Sequence, residues 1–122
     1  MEKVPLEKDE QKEFIKYLRK KRLIYASISN ENILSYLNRN VAARVMKELK
    51  AMGLQPAFPD LMVMLPTKMI FVEMKRIKRS RTSDEQKIWN KVLDALPYAS
   101  AYICKGCDEA TNVIEKELGN VA

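Results

Sequence analysis

Two apolar segments separated by a short turn lie near the middle of the chain, and they constrain its fold more than any other feature. From Pro59 to Lys75 the sequence reads PDLMVMLPTKMIFVEMK, with PTK between the two segments. Short apolar runs joined by a tight turn are typical of a β-hairpin. We therefore expect two antiparallel strands here, with the remaining segments arranged around them.

Three charged side chains converge at the open end of this hairpin. Side chains alternate between the two faces of a strand, so Glu73 and Lys75 leave the second strand on the same face. Depending on which residue beyond the turn pairs with Leu65, Asp60 lies across from Glu73 or from Met74. In either register, two carboxylates and one ammonium group share one site.

This arrangement favours a bound cation. Two neighbouring carboxylates repel each other unless a positive charge lies between them. Hard divalent cations such as Mg²⁺ take oxygen ligands in octahedral sites that water completes. A lysine beside such a site can position or deprotonate a water molecule, or hold a phosphate. The sequence therefore predicts a metal site formed by Asp60 and Glu73, with Lys75 beside it.

Helical and extended patterns alternate along the rest of the chain. Apolar residues at helical spacing predict helices over residues 6–22, 33–40, 41–52, 84–96 and 108–118. Gly53 and Gly119 lie beyond the ends of two of them, and Asn30 is a turn residue. Residues 23–29 and 99–104 predict strands. The order is that of an α/β domain.

Composition indicates one small domain with a polyanionic partner. The chain has 122 residues, enough for a single core, so we expect one domain over residues 1–122. Lys and Arg total 22 against 16 Asp and Glu, a net charge of +6 that is compatible with nucleic-acid binding. No apolar run approaches the ~20 residues of a membrane span, and the start has no signal-peptide pattern. We therefore expect a cytoplasmic protein with no membrane contact.

The charged motif of the hairpin becomes specific only together with several neighbouring sequence segments. Pro59-Asp60 is followed, after a hairpin-length gap, by Glu73-Met74-Lys75. The neighbours are LKAMG at 49–53, FVEMKR at 71–76, Gln86 with Trp89, and CKGCDEA at 104–110. From about residue 7 to residue 118, the chain resembles the VRR-NUC (virus-type replication-repair nuclease) branch of the PD-(D/E)XK nuclease superfamily. This branch usually has a small residue, often Gly, where Ala57 stands, and Ala57 keeps the position small.

The resemblance implies both a fold and a chemistry. The fold is α/β with an αβββαβ core, in which helices flank a central mixed sheet. The chemistry is metal-dependent hydrolysis of DNA phosphodiesters. Asp60, Glu73 and the Met74 carbonyl would hold Mg²⁺ or Mn²⁺, and Lys75 would orient the attacking water. No small-molecule cofactor is expected.

The first helix offers candidates for a further carboxylate ligand. In the superfamily a glutamate of this helix often completes the metal site. Glu7 and Glu10 both project toward the apolar face centred near Phe14 and Leu18. We expect Glu10 to be the ligand, with Glu7 as the rival. Acidic residues in a first helical turn are also favoured by the helix dipole alone.

Gln86 has two possible roles. Ser83 and Gln86 form a capping box at the start of a helix, which by itself explains the glutamine. The family also has a glutamine here that reaches toward the active site, and we expect this site role, taking the two roles to exclude each other. Trp89, on the same helix with Ile88, Val92, Leu93 and Leu96, is expected in the core rather than on a base.

A basic segment follows the hairpin. Residues 75–81 read KRIKRSR, with five cations in seven positions. Such runs are usually solvated loops, yet this one begins at the lysine of the proposed site, where cations would attract a phosphate backbone. The candidate phosphate contacts are Arg76, Lys78, Arg79 and Arg81.

Cys104 and Cys107 form a CxxC pattern that is compatible with zinc or redox chemistry. A tetrahedral zinc site requires four Cys or His ligands, and this chain has two cysteines and no histidine. We expect ordinary thiols.

Small members of the branch resemble Holliday-junction resolvases, which act as dimers. Paired nicks need two active sites, and this chain has one Asp60-Glu73-Lys75 set, so we expect a homodimer acting on branched or duplex DNA. The expected contact is an apolar cluster of Ile33, Leu34, Tyr36 and Leu37. The alternatives are a nucleic-acid-binding module that does not cut, and a nuclease subunit of a larger replication or restriction assembly.

Overall fold

The structure is a computed structural model that describes residues 3–28 and 31–121, without the side chains of 31–33, 120 and 121. The helices are α1 (Glu7–Lys20), α2 (Arg39–Ala51), α3 (Asp84–Asp94) and α4 (Gly106–Val121). The strands are β1 (Ile24–Ser27), β2 (Leu61–Leu65), β3 (Lys68–Lys75) and β4 (Ala99–Lys105), and a 3₁₀ helix spans Glu31–Tyr36. The expected αβββαβ order is confirmed, with the 3₁₀ helix and α2 between β1 and β2. The expected turn residue Asn30 and the last residue of the expected first strand, Ser29, lie outside the described residues.

The strands form one mixed sheet in the order β1-β2-β3-β4. β1 and β2 are antiparallel, β2 and β3 form the hairpin, and β3 and β4 run parallel. Leu65 pairs with Lys68, and the register continues to Leu61 opposite Val72. One step further along the same register, Asp60 comes opposite Glu73, which is the first of the two expected arrangements.

Side-chain alternation on β3 divides the core between the two faces of the sheet. Ile70, Val72 and Met74 are fully buried on the face that carries α1 and α4, with Phe14 and Leu18. The opposite face carries α3, where Phe71, Leu93, Ala99 and Ala101 form a second cluster with Phe58, Met62 and Trp89 packed against it. Trp89 lies edge-on to Phe58, with ring centroids 5.1 Å apart, so the expected core role of Trp89 is confirmed.

Local hydrogen bonds move some helix boundaries from their expected places. α2 begins at Arg39 because the Asn38 side chain accepts hydrogen bonds from the backbone of Asn40 and Val41, which is a helix N-cap. The expected helix over residues 33–40 is therefore wrong beyond the 3₁₀ segment. α4 begins directly after β4 rather than at Asp108, and it continues past Gly119 instead of ending there.

The apolar pattern of α3 is covered on one side only. Leu93 is buried and Trp89 is half-buried. Ile88, Val92 and Leu96 are 61%, 52% and 48% exposed, so the sheet covers only part of the apolar face of this helix. Ile88, Val92 and Leu96 recur every fourth residue and form an apolar strip, which we call the α3 strip.

No helix among the described residues is both long and apolar enough to cross a membrane. Cys104 and Cys107 are free thiols, and burial raises the pKa of the Cys104 thiol to about 12.

Candidate active site

Asp60 lies at the open end of the hairpin, just before β2. Its Oδ2 accepts a hydrogen bond of 2.8 Å from the backbone N–H of Met74 on β3. The backbone carbonyl of Asp60 accepts from the N–H of Ile28 at 2.8 Å, which extends the pairing of β1 to this point. The two neighbouring strands thus fix Asp60 through backbone contacts.

Three carboxylates meet beside this contact. Glu7, Asp60 and Glu73 each present an oxygen, and the three oxygens lie within 4.8 Å of one another. Glu7 is the first residue of α1, Asp60 precedes β2, and Glu73 is in β3. Glu73 is 6% exposed, whereas Glu7 and Asp60 are half-buried. In the described part of the chain, no other group of three acidic, cysteine or histidine side chains comes as close together.

Glu10, the residue expected as the helix ligand, is not a member of this group. Its Oε1 accepts a hydrogen bond of 3.2 Å from the backbone N–H of Cys107, the second residue of α4. It is 8% exposed, and its contact lies with α4 rather than with Asp60 or Glu73. The structure therefore brings the rival, Glu7, to the two sheet carboxylates.

Burial and mutual repulsion disfavour the charged forms of the two sheet carboxylates. The pKa of Glu73 is raised to about 8, first by burial and then by the charge of Asp60. Burial is also the main cause that raises the pKa of Asp60 to about 6, and the charge of Glu7 adds to it. The N–H of Met74 and the charge of Lys75 act in the opposite direction on Asp60. A positive charge placed among these oxygens would remove the repulsion.

Lys75 and Gln86 form a hydrogen-bonded chain with Glu73. The ammonium of Lys75 donates to Gln86 Oε1 at 2.8 Å and lies 3.6 Å from Glu73 Oε2. Gln86 Nε2 donates to the same Glu73 oxygen at 2.9 Å. Lys75 is 7% exposed, so these hydrogen bonds fix its ammonium group at the buried edge of the three carboxylates.

Gln86 also completes the capping box of α3. Its Oε1 accepts from the N–H of Ser83 at 3.0 Å, and its own N–H donates to Ser83 Oγ at 3.1 Å. The expectation that the two roles exclude each other is wrong. An amide oxygen has two lone pairs and an amide nitrogen has two hydrogens, so one side chain can cap the helix and contact Lys75 and Glu73.

The oxygen of Glu73 that does not contact Gln86 supports a cation at this position. Glu73 Oε1 is buried and has no hydrogen-bond donor among the described residues. Buried polar atoms are almost always paired, so an unpaired carboxylate oxygen beside two other carboxylates fits a missing positive partner. An all-oxygen group of this kind suits Mg²⁺ or Mn²⁺.

The expected phosphate contacts differ in their surroundings. Lys78, Arg79 and Arg81 are exposed beyond β3. Arg76 is half-buried and donates to two backbone carbonyls, from Nε to Pro5 at 3.1 Å and from Nη2 to Val4 at 2.9 Å. A cleft of about 700 Å³ opens between the segment before α1 and the basic segment, lined by Lys3, Val4, Pro5, Leu6, Asp9, Arg76 and Arg79.

A sequence comparison identifies the family of this chain, and a structure comparison identifies its fold. The VRR-NUC domain family matches residues 7–107. A solved structure described as a VRR_NUC domain protein superimposes with a TM-score of 0.70 at 18% identity, covering 94% of this chain and 89% of that one. At that identity the likeness shows the fold alone. No curated protein matches the sequence. The family match spans most of the chain, which therefore belongs to the VRR-NUC family of nuclease-type domains.

Proposed function

We propose that the protein is a metal-dependent DNA endonuclease that hydrolyses phosphodiester bonds. The observation that carries the proposal is the group of three carboxylates in which Glu73 Oε1 is buried without a hydrogen-bond partner among the described residues. The ammonium of Lys75 lies beside the other oxygen of Glu73. A protein that only binds nucleic acid gains nothing from carboxylates next to phosphates, because burying unpaired charge costs free energy.

Asp60, Glu73 and Glu7 are the proposed ligands of Mg²⁺ or Mn²⁺, together with the Met74 carbonyl. The N–H of Met74 donates to Asp60, and the N–H and C=O of a strand residue point to the same side of the strand, so this carbonyl also faces Asp60. When bound by these oxygens, a divalent cation would supply Lewis-acid chemistry, which would polarise the phosphodiester and lower the pKa of a water molecule.

Lys75 is the proposed group that orients the attacking water and stabilises the charge that develops on the phosphate. Its ammonium is fixed by Gln86 and lies close to Glu73. A donor that is already in place when negative charge develops needs no reorganisation during the reaction. Gln86 acts in this account by holding Lys75 and Glu73 in their relative positions.

Lys78, Arg79 and Arg81 are the proposed phosphate contacts. They are exposed and lie directly beyond β3, so a DNA strand that crosses the three carboxylates can pass over them. Cations on such a path contribute affinity that does not depend on base sequence and that decreases with salt.

The proposed substrate is branched DNA, cut by a homodimer. The described part of one chain supplies one cluster of three carboxylates, whereas cutting two symmetric strands of a junction requires two such clusters. The proposed contact is the linker surface, defined as Ile33, Leu34, Tyr36 and Leu37, of which the Ile33 side chain lies outside the described part of the structure. Tyr36 is 72% exposed and Leu37 is 39% exposed, which leaves apolar area for a partner.

A substrate panel tests this proposal. The purified protein is incubated with a four-way junction, a flap and a linear duplex, with and without Mg²⁺ or Mn²⁺. We expect metal-dependent cleavage, with paired nicks in the junction. Binding of all three without cleavage would indicate a binding module. Inactivity on all three with metal bound would indicate a subunit whose substrate choice lies in another chain.

A further inference from the structure

Glu7 occupies a position that the helix itself does not hold firmly. It is the first residue of α1, and the N-cap residue, Leu6, makes no side-chain capping hydrogen bond. The first helical turn has backbone N–H groups without partners in the helix, and helix ends fray. A carboxylate carried there needs other contacts if it is to remain beside Asp60 and Glu73.

One such contact comes before Glu7, from β3. Arg76 follows Lys75 directly, and its guanidinium donates to the carbonyls of Pro5 and Val4. Because the two N–H donors belong to one planar guanidinium, they fix the orientation of this segment as well as its distance from Arg76. The strand that carries Glu73 and Lys75 therefore also holds the chain that leads into Glu7.

A second contact comes one turn after Glu7, from α4. Glu10 accepts from the N–H of Cys107, at the N-terminal end of α4, where the helix dipole favours a negative charge. This close approach depends on Gly106, whose φ is +85°. A Cβ at residue 106 would lie 3.0 Å from Glu10 Oε2 and 2.8 Å from Ile77 Cγ1. A larger residue there would be strained in its backbone and would displace the side chains of Ile77 and Glu10.

We infer that Glu10 and Arg76 are positioning residues, which hold Glu7 in the metal site from the two sides of the first turn of α1. The inference rests on the proposed function, in which Glu7 is a ligand. It gives Glu10 a role other than that of a ligand, and it gives Arg76 a role other than that of a phosphate contact.

Mn²⁺ affinity, measured by titration calorimetry without DNA, separates these roles. Loss of a residue that orients a ligand typically lowers metal affinity by about 10–100-fold. We expect Glu10→Ala and Arg76→Lys to fall in that range. Glu10→Gln should stay near wild type, because its carbonyl oxygen still accepts from Cys107, whereas Glu7→Gln should lose affinity. If Glu10 were itself a ligand, Glu10→Gln would lose affinity as Glu7→Gln does, and the inference would be overturned.

Two matched controls distinguish positioning from general stability and from DNA contact. Tyr17 also joins α1 to α4, through a 2.8 Å hydrogen bond from its hydroxyl to Glu115. Tyr17→Phe should lower the melting temperature and leave Mn²⁺ affinity unchanged. Arg79→Lys makes the same charge-conserving change on an exposed arginine, and it should leave Mn²⁺ affinity unchanged. Metal-free DNA affinity should be the same for Arg76→Lys and wild type.

Metal-free crystal structures of Glu10→Ala and Arg76→Lys test the inference without the metal. The Glu7 carboxylate should move away from Asp60 and Glu73 in both variants, and it should stay in place in Tyr17→Phe. A Glu7 that stays in place in both variants overturns the inference. If wild type binds no Mn²⁺, the proposed function fails, and the same structures still decide what positions Glu7. If Glu10→Ala does not fold, Arg76→Lys and Glu10→Gln still give the answer.

Discussion

At the scale of single residues, Glu73 is the carboxylate whose charged form is most disfavoured by burial and by its neighbours. It is buried, accepts a hydrogen bond from Gln86 and lies close to Asp60, and its Oε1 has no donor among the described residues. The sequence predicted Glu73, Asp60 and Lys75 together, because strand alternation and hairpin register are local rules. It favoured Glu10 over Glu7, whereas the structure brings Glu7 to the other two carboxylates; both residues project to the same face of α1. Which of the two reaches the sheet carboxylates depends on how α1 packs against the sheet, which a helical period does not predict.

The raised pKa values predict how the stability of the metal-free protein depends on pH. Unfolded Asp and Glu titrate near pH 4, and the native pKa of Glu73 is about 8. Between these values the native state binds more protons than the unfolded state, so stability decreases as pH rises. We expect a higher melting temperature at pH 6 than at pH 8, measured in EDTA.

Glu73→Gln serves as the control for this pH dependence, because it removes the titrating group and should flatten the curve. Added Mg²⁺ should stabilise the wild type more at pH 8 than at pH 6, since metal and protons compete for the same oxygens. A melting temperature that rises from pH 6 to pH 8 in EDTA would contradict the account of the site.

Lys75 offers a second residue-level prediction. Lys75→Ala should reduce cleavage by about 10²–10³-fold, because a fixed donor to developing charge is lost. Mn²⁺ affinity should remain, since an ammonium group is not a metal ligand. Single-turnover cleavage and Mn²⁺ titration of the same preparation give both values. A variant that loses Mn²⁺ binding instead would assign Lys75 a structural role.

At the scale of helices and strands, patterns that depend on near neighbours were predictable. The hairpin and the capping box of α3 follow from short-range spacing, and the structure has both. The start of α2 was missed because it depends on one side-chain cap at Asn38. The exposed α3 strip was missed because a helical period cannot tell which part of an apolar face another element covers.

The start of α3 links stability to chemistry through Gln86. Ser83→Ala removes a helix cap and should cost about 1 kcal/mol of stability, with cleavage retained. Gln86→Ala keeps that cap, because the donor is the backbone N–H of residue 86. It removes the reciprocal bond from Ser83 N–H and the contacts to Lys75 and Glu73, so it should lose cleavage. Urea unfolding and single-turnover cleavage of both variants test this. Equal cleavage by the two variants would show that Gln86 acts only in capping α3 and not in the chemistry.

At the scale of the whole molecule, the sequence implied a dimer, and the structure offers two apolar surfaces for it. The linker surface includes the exposed Tyr36, whose ring lies 5.1 Å from the Lys8 ammonium. The α3 strip has similarly exposed apolar side chains. The sequence analysis proposed the first surface as the contact and assigned the residues of the second only to the apolar face of a helix.

Sedimentation at low micromolar concentration tests the dimer and its surface. We expect wild type to be a dimer, Leu37→Glu to be a monomer that nicks without pairing the cuts, and Val92→Glu to remain a dimer. A dimer that Val92→Glu dissociates and Leu37→Glu does not would move the interface to the α3 strip. A monomeric wild type that makes paired nicks would contradict the symmetry argument.

The central claim is that the three carboxylates form a divalent-cation site that cuts DNA. Its most direct test is the single-turnover cleavage rate of wild type and Asp60→Asn on the best substrate, with Mg²⁺ and with EDTA. Asn keeps the shape of Asp60 and removes its charge, so cleavage should fall to the EDTA level while DNA binding is kept or strengthened. Cleavage by Asp60→Asn at the wild-type rate, or wild-type cleavage that persists in EDTA, would contradict the claim.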